Sequence, residues 1–259
     1  MKPMMIIPQY PRYSGPRSYL KDCYVLLHLP RFMFIACFII IGSMMSPHVN
    51  YLNLILELIA VSAGVLLTAY RLDELAGHHT SSQIPDSHHK ITAIIGIVIF
   101  SGIATYLVIS VSYYLALWGV LGFIGLVAYN FEIGGHLTHN EFVFALTWAF
   151  VPVCASFHLQ SGTITPPVVV FGIFTMILAT LHIWSYGACG CNHSHTCREL
   201  LEFQAAHKNE PFERVCHGMA CVNRLFMPRE VRKYAWRLIQ VQFYLIIALT
   251  LFFVCWHYL

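Results

Sequence analysis

Charge is what this sequence has least of. Asp, Glu, Lys and Arg make up 10% of its 259 residues, where a soluble domain carries about a quarter. That shortage excludes a disordered chain, a coiled coil, a nucleic-acid-binding module and most soluble enzymes. Acidic residues are missing altogether between Glu141 and Glu199. Barrel-type alternation of apolar and polar residues is absent too, so a membrane barrel is not expected. The first 30 residues have no early apolar core, and no cleavable signal is expected there. Residues 1–23 read instead as a cytoplasmic arm lying along a membrane surface.

What the chain does have is apolar residues, 58% of the total. They gather into seven segments, at 24–46, 51–70, 91–111, 113–130, 141–159, 166–186 and 237–258. A helix needs about 20 apolar residues to cross a hydrocarbon core of about 30 Å. In lipid only helices or closed barrels satisfy their own backbone. The expectation is therefore an all-α polytopic bundle of about seven transmembrane helices, forming a single domain over 24–259.

The few charges are distributed with a strong bias. Lys2, Arg12, Arg17, Lys21 and Arg31 precede or open the first helix. Arg71 and Lys90 bracket the connection between the second and third. The remaining eight basic residues run from Arg198 to Arg237. The connections after helices 1, 3 and 5 have none. The positive-inside rule then places the N-terminus in the cytoplasm of an integral protein of the cell (inner) membrane. Eleven of the twelve carboxylates fall on the same inner face, beside two large inner loops, 71–90 and 187–236. Chemistry is accordingly expected at the cytoplasmic mouth.

The first inner loop reads Arg71-Leu-Asp73-Glu74, then Gly77-His78-His79, then Asp86-Ser-His88-His89-Lys90. Adjacent carboxylates Asp73 and Glu74, with Asp86, suit a hard ion such as Mg²⁺, which favours one or two carboxylates plus phosphate oxygens. Arg71 and Lys90 would neutralise remaining phosphate charge. The plainer reading is a set of interfacial polar residues that keep a loop in water. The second inner loop carries Cys189, Cys191, His193 and Cys197, then Cys216, His217 and Cys221. Disulfides are not expected on the reducing side of a membrane, so Zn²⁺ thiolates or free thiols are the alternatives. Between helices 4 and 5, Tyr129, Glu132, Asn140 and Glu141 flank two glycines. Acceptors converging there favour a cationic or hydrogen-bond-donating ligand. Glu57 is the single carboxylate inside a helix, and an ionisable residue at that depth faces the bundle interior or a partner. It serves either a structural hydrogen bond or catalysis.

The layout resembles the UbiA superfamily of intramembrane prenyltransferases, most closely its menaquinone-type branch, over residues 31–187. Helix 2 ends in Ala69-Tyr-Arg-Leu-Asp73-Glu74-Leu-Ala-Gly77, similar to a shortened first Asp-rich motif. The run from Tyr129 to Asn140-Glu141 resembles the segment holding that branch's Gly-Glu. Phe150-Val-Pro152 with Phe157-His-Leu-Gln160-Ser-Gly162 is similar to its Phe-Gly…Pro and Tyr-x-x-Gln-Thr-Gly stretch. The resemblance implies an isoprenoid diphosphate bound through Mg²⁺ at the inner mouth, with Asp73 and Glu74 as catalytic ligands and Asp86 auxiliary. Arg71, Lys90, Tyr129, Asn140 and Glu141 would line the substrate. The family's second Asp-rich motif is replaced here by His182-Ile-Trp-Ser-Tyr186-Gly-Ala-Cys189-Gly-Cys191. Two readings follow. One is an isoprenoid-binding protein that transfers the prenyl group to an acceptor. The other is a non-catalytic subunit of a membrane complex, whose Cys/His loop holds metal or docks a partner.

Overall fold

The computed structural model describes residues 19, 23, 27, 29–75, 84–130, 140–189 and 229–258, some of them by backbone alone. All regular structure among them is helical. Helix α1 is Leu29–Met44, and α2 is Tyr51–Ser62, which continues through a π-helical segment, Ala63–Ala69, into α3, Tyr70–Leu75. Then come α4, Asp86–Ser110, and α5, Leu115–Asn130. The fifth crossing is again composite: α6, Glu141–Ala145, a π segment Leu146–Phe150, and α7, Val151–Ser161. Helices α8, Pro166–Cys189, and α9, Arg229–Tyr258, complete the set.

Short polar signals at the helix ends account for these boundaries. Asn50 caps α2, its side-chain oxygen accepting from Asn53 N at 3.2 Å, and Asn140 caps α6 by accepting from Val143 N at 2.9 Å. Such caps satisfy amides that an opening helix leaves free. The α7 helix ends at Gly162, whose φ of 71° is the left-handed conformation that glycine adopts without a Cβ clash. Helix α4 starts at Asp86, earlier than the apolar pattern alone suggests. Pro85 sets an extended entry and Asp86 places a negative charge in the first turn. Arg71–Leu75 is likewise helical, so both ends of the expected loop 71–90 belong to helices, and residues 76–83 lie outside the described residues.

Among the described residues five helical stretches are long and apolar enough to cross a membrane: Tyr51–Leu72, Asp86–Ser110, Glu141–Ser161, Pro166–Ile183 and Arg237–Tyr258. Two shorter apolar helices, Phe32–Met44 and Leu115–Tyr129, occupy the other two expected positions. The outward faces of α4, α5, α8 and α9 carry exposed Ile94, Val98, Leu117, Val170, Leu251 and Trp256. Water would not tolerate so much contiguous apolar surface, and a bilayer requires it. The chain is a polytopic membrane protein.

Helix α1 lies at the centre, against α2, α7 and α9. Phe34, Cys37 and Phe38 on one side join Val153, Phe157, Leu178 and Ile246. Ile35 and Ile39 on the other join Leu54, Val65, Tyr70 and Trp148. The approach to α7 is very close. A Cβ on Gly42 would collide with the Val153 carbonyl oxygen and stand 3.0 Å from its Cα. Small residues allow such backbone contact between membrane helices. Gly96 does the same for α4, where a Cβ would strike Thr68 Oγ1 in the first π segment.

Candidate functional site

The two π segments face one another across a cavity of about 490 Å³, within the ~300–1,000 Å³ typical of small-molecule sites. A π turn is rare and is frequently found at functional sites. Gly64, Val65 and Thr68 from the first segment and Thr147 and Trp148 from the second line the cavity. Phe100 of α4 lies over Gly64, at 3.4 Å from where a Cβ would stand. Trp148 is held in place by stacking on Phe144, centroids 4.8 Å apart, and by a tilted contact with Tyr70 at 6.1 Å.

Along one side the cavity is rimmed by Val120 and Ile124 of α5, 52% and 57% exposed, and by the exposed Ser101 and Thr105 of α4. These residues both line the space and face outward, so the cavity opens between α4 and α5 toward the lipid. Its walls are mostly apolar. Two of its hydroxyls are already committed to backbone carbonyls: Thr68 Oγ1 to Ala93 O at 3.2 Å, and Thr147 Oγ1 to Val143 O at 2.9 Å.

Glu57 is the one ionisable side chain in the described lining. It is 8% exposed. Its Oε1 accepts a 2.7 Å hydrogen bond from Ser156 Oγ of α7, while Oε2 is buried with no hydrogen-bond partner. The structural reading of Glu57 therefore accounts for one of its two oxygens. A second polar contact lies close by in sequence. Trp118 Nε1 donates to His158 Nδ1 at 3.1 Å, which in the neutral ring places the proton on Nε2, an atom without a partner. Nearer the α7 end, Gln160 Oε1 accepts from Asn50 N at 2.7 Å, tying the first connection to α7.

No family profile, curated protein or solved structure matches this chain.

The described residues expected to carry chemistry lie at the other end of the bundle from Glu57. Arg71 is buried in α3, with its Nε unpartnered. Glu74 is half-buried in the same helix, while Asp86 and Lys90 are exposed in the first turns of α4. Asp73 belongs to α3, and its side chain lies outside the described residues. Tyr129 packs on Phe144 at 5.6 Å, Asn140 caps α6, and Glu141 sits in that helix's first turn. Cys189 ends α8, but its side chain, with Cys191, His193, Cys197, Cys216, His217 and Cys221, lies outside the described residues. Among the described residues no three His, Cys, Asp or Glu side chains come close enough to hold a metal ion.

The cavity itself was not expected from the sequence. The single signal pointing to it was Glu57, a carboxylate inside an apolar helix.

Proposed function

We propose that this membrane protein is a divergent UbiA-like protein that binds an isoprenoid in the cavity, and that prenyl transfer to an acceptor is its activity. The observation that carries the reading is the cavity. Its apolar body suits a hydrocarbon chain, and its opening between α4 and α5 faces the phase in which such chains dissolve. From Glu57 to Thr68 it follows the second crossing for about 16 Å at 1.5 Å per residue. It ends three residues short of Arg71, so a diphosphate would emerge toward Arg71, Lys90, Asp73 and Glu74. In this reading the N-terminus is cytoplasmic and the protein belongs to the inner cell membrane. The described carboxylates do not form a Mg²⁺ cage on their own, and any such ion would depend on Asp73 and residues beyond them.

The test is direct binding of prenyl diphosphates to the protein in lipid nanodiscs, read by Trp fluorescence, since Trp118 and Trp148 line the cavity. Saturable binding is expected, weakened at least tenfold by Gly122→Leu. A Cβ at Gly122 comes no nearer than 3.8 Å to Val151, so the added side chain has room and fills the cavity. Mg²⁺-dependent diphosphate release should disappear in Asp73→Ala. Failure to bind or release diphosphate across a panel of chain lengths would sink the reading.

The absence of any carboxylate between Glu141 and Glu199 favours a second reading. In it the chain is a non-catalytic subunit of a membrane complex, whose Cys189–Cys221 segment binds Zn²⁺ or docks a partner. Stoichiometric zinc lost on Cys189, Cys191 and Cys216 substitution would support it.

A further inference from the structure

We infer that the Glu57 end of the cavity recognises a lipophilic alcohol, drawn from the bilayer between α4 and α5 and held through its hydroxyl. This goes beyond prenyl transfer and does not require it, because the site lies at the opposite end of the cavity from Arg71. Three observations carry it. Among the described lining residues Glu57 is the only ionisable side chain, and it is more than nine-tenths buried. Ser156 occupies one of its oxygens, leaving Oε2 buried with no hydrogen-bond partner. An orphaned buried carboxyl oxygen is costly, so a partner delivered to it binds with that cost relieved. The walls around it, Ala60, Val61, Leu159 and the ring of Trp118, whose Nε1–H is engaged by His158, are largely apolar, and the rim of Val120 and Ile124 opens to lipid.

The chemistry of the carboxyl selects the head group. An ionised Glu57 needs a donor, and a protonated one needs an acceptor. A hydroxyl is both, so it complements Oε2 in either state. An ether only accepts and a hydrocarbon does neither. A bulky charged head group would have to leave water for a wall with no counter-charge of its own beyond this one residue.

The experiment uses the full chain in nanodiscs and reads Trp fluorescence against farnesol and 1-dodecanol, each beside the hydrocarbon of the same chain that lacks the hydroxyl. Both alcohols are expected to bind about tenfold more tightly than their hydrocarbons, the scale of one buried hydrogen bond to an ionisable group. Glu57→Met should bring each alcohol–hydrocarbon pair to equal affinity, while Glu57→Gln, which still donates and accepts, should keep a preference. Equal binding of alcohols and hydrocarbons by the unaltered protein, no binding of either, or a preference that survives Glu57→Met would overturn the inference. The comparison on the unaltered protein decides the matter even where Glu57→Met does not fold. Prenyl diphosphate binding that persists in Glu57→Met separates this inference from the reading above, which concerns the Arg71 end.

Discussion

Ser156 Oγ donates a 2.7 Å hydrogen bond to Glu57 Oε1, joining two helices 99 residues apart in sequence. Both residues are buried, and on the α1 side a Cβ at Gly42 would stand 3.1 Å from Ser156 Cβ. The bond thus sits where α1, α2 and α7 meet. Removing the hydroxyl with Ser156→Ala leaves both Glu57 oxygens without a partner. Such a loss costs about 1–3 kcal/mol. A lower thermal midpoint in detergent is expected, with Glu57→Gln closer to the parent than Ser156→Ala. An unchanged midpoint in Ser156→Ala would mean that the bond contributes nothing.

Close helix contact makes a sharper steric prediction. Gly42→Val places a branched side chain against the Val153 backbone, which cannot rotate away. Overpacking of this kind costs about 1–3 kcal/mol or more. Gly102→Ala and Gly119→Ala, whose Cβ positions meet nothing within 4 Å, should be close to neutral. Comparing the three midpoints by differential scanning fluorimetry tests the packing itself, because all three glycines lie in helices.

Gln160 holds the first connection by taking the Asn50 amide on its Oε1. Gln160→Ala should cost about 1 kcal/mol. The more telling readout is local: faster hydrogen exchange at residues 50–53, where the cap loosens, with little change at α9. Uniform acceleration along the whole chain would instead indicate global unfolding.

Orientation is open to a labelling test in intact cells. With the native cysteines replaced, Thr163→Cys at the α7–α8 turn should react with a membrane-impermeant maleimide added outside. Lys90→Cys should react only after permeabilisation. Both positions are exposed. The reverse pattern would invert the topology that the basic residues imply.

The crossings were legible in the sequence because hydropathy alone specifies them: a window of about 20 apolar residues has few other uses. The polar residues were harder to interpret. Asn140 looks like a ligand residue among its neighbours, and in the fold its side chain caps α6. Gln160 lies in a motif-like run, and its amide serves a turn. A polar residue near a helix end suits capping and binding equally well, and only its neighbours in space separate the two. Glu57 was readable as an anomaly, since a carboxylate in an apolar helix has few innocent explanations. Its cavity was not, because its lining is drawn from crossings distant in sequence, the two π segments among them. Nothing in Ala-Gly-Val-Leu-Leu-Thr-Ala or Leu-Thr-Trp-Ala-Phe announces a wider turn.

The central position of α1 has a bearing on how the protein responds to its bilayer. At 16 residues it is about 24 Å long, shorter than a hydrocarbon core of about 30 Å. Its side chains from Phe34 to Met44 are nevertheless mostly buried by neighbouring helices. For α1 the effective solvent is protein, so hydrophobic mismatch exerts its force on the periphery. A thicker or thinner membrane would tilt α4 and α5 first, and these two helices frame the lateral opening. Lipid composition would then act as a control on the width of that doorway while the central helix stays fixed.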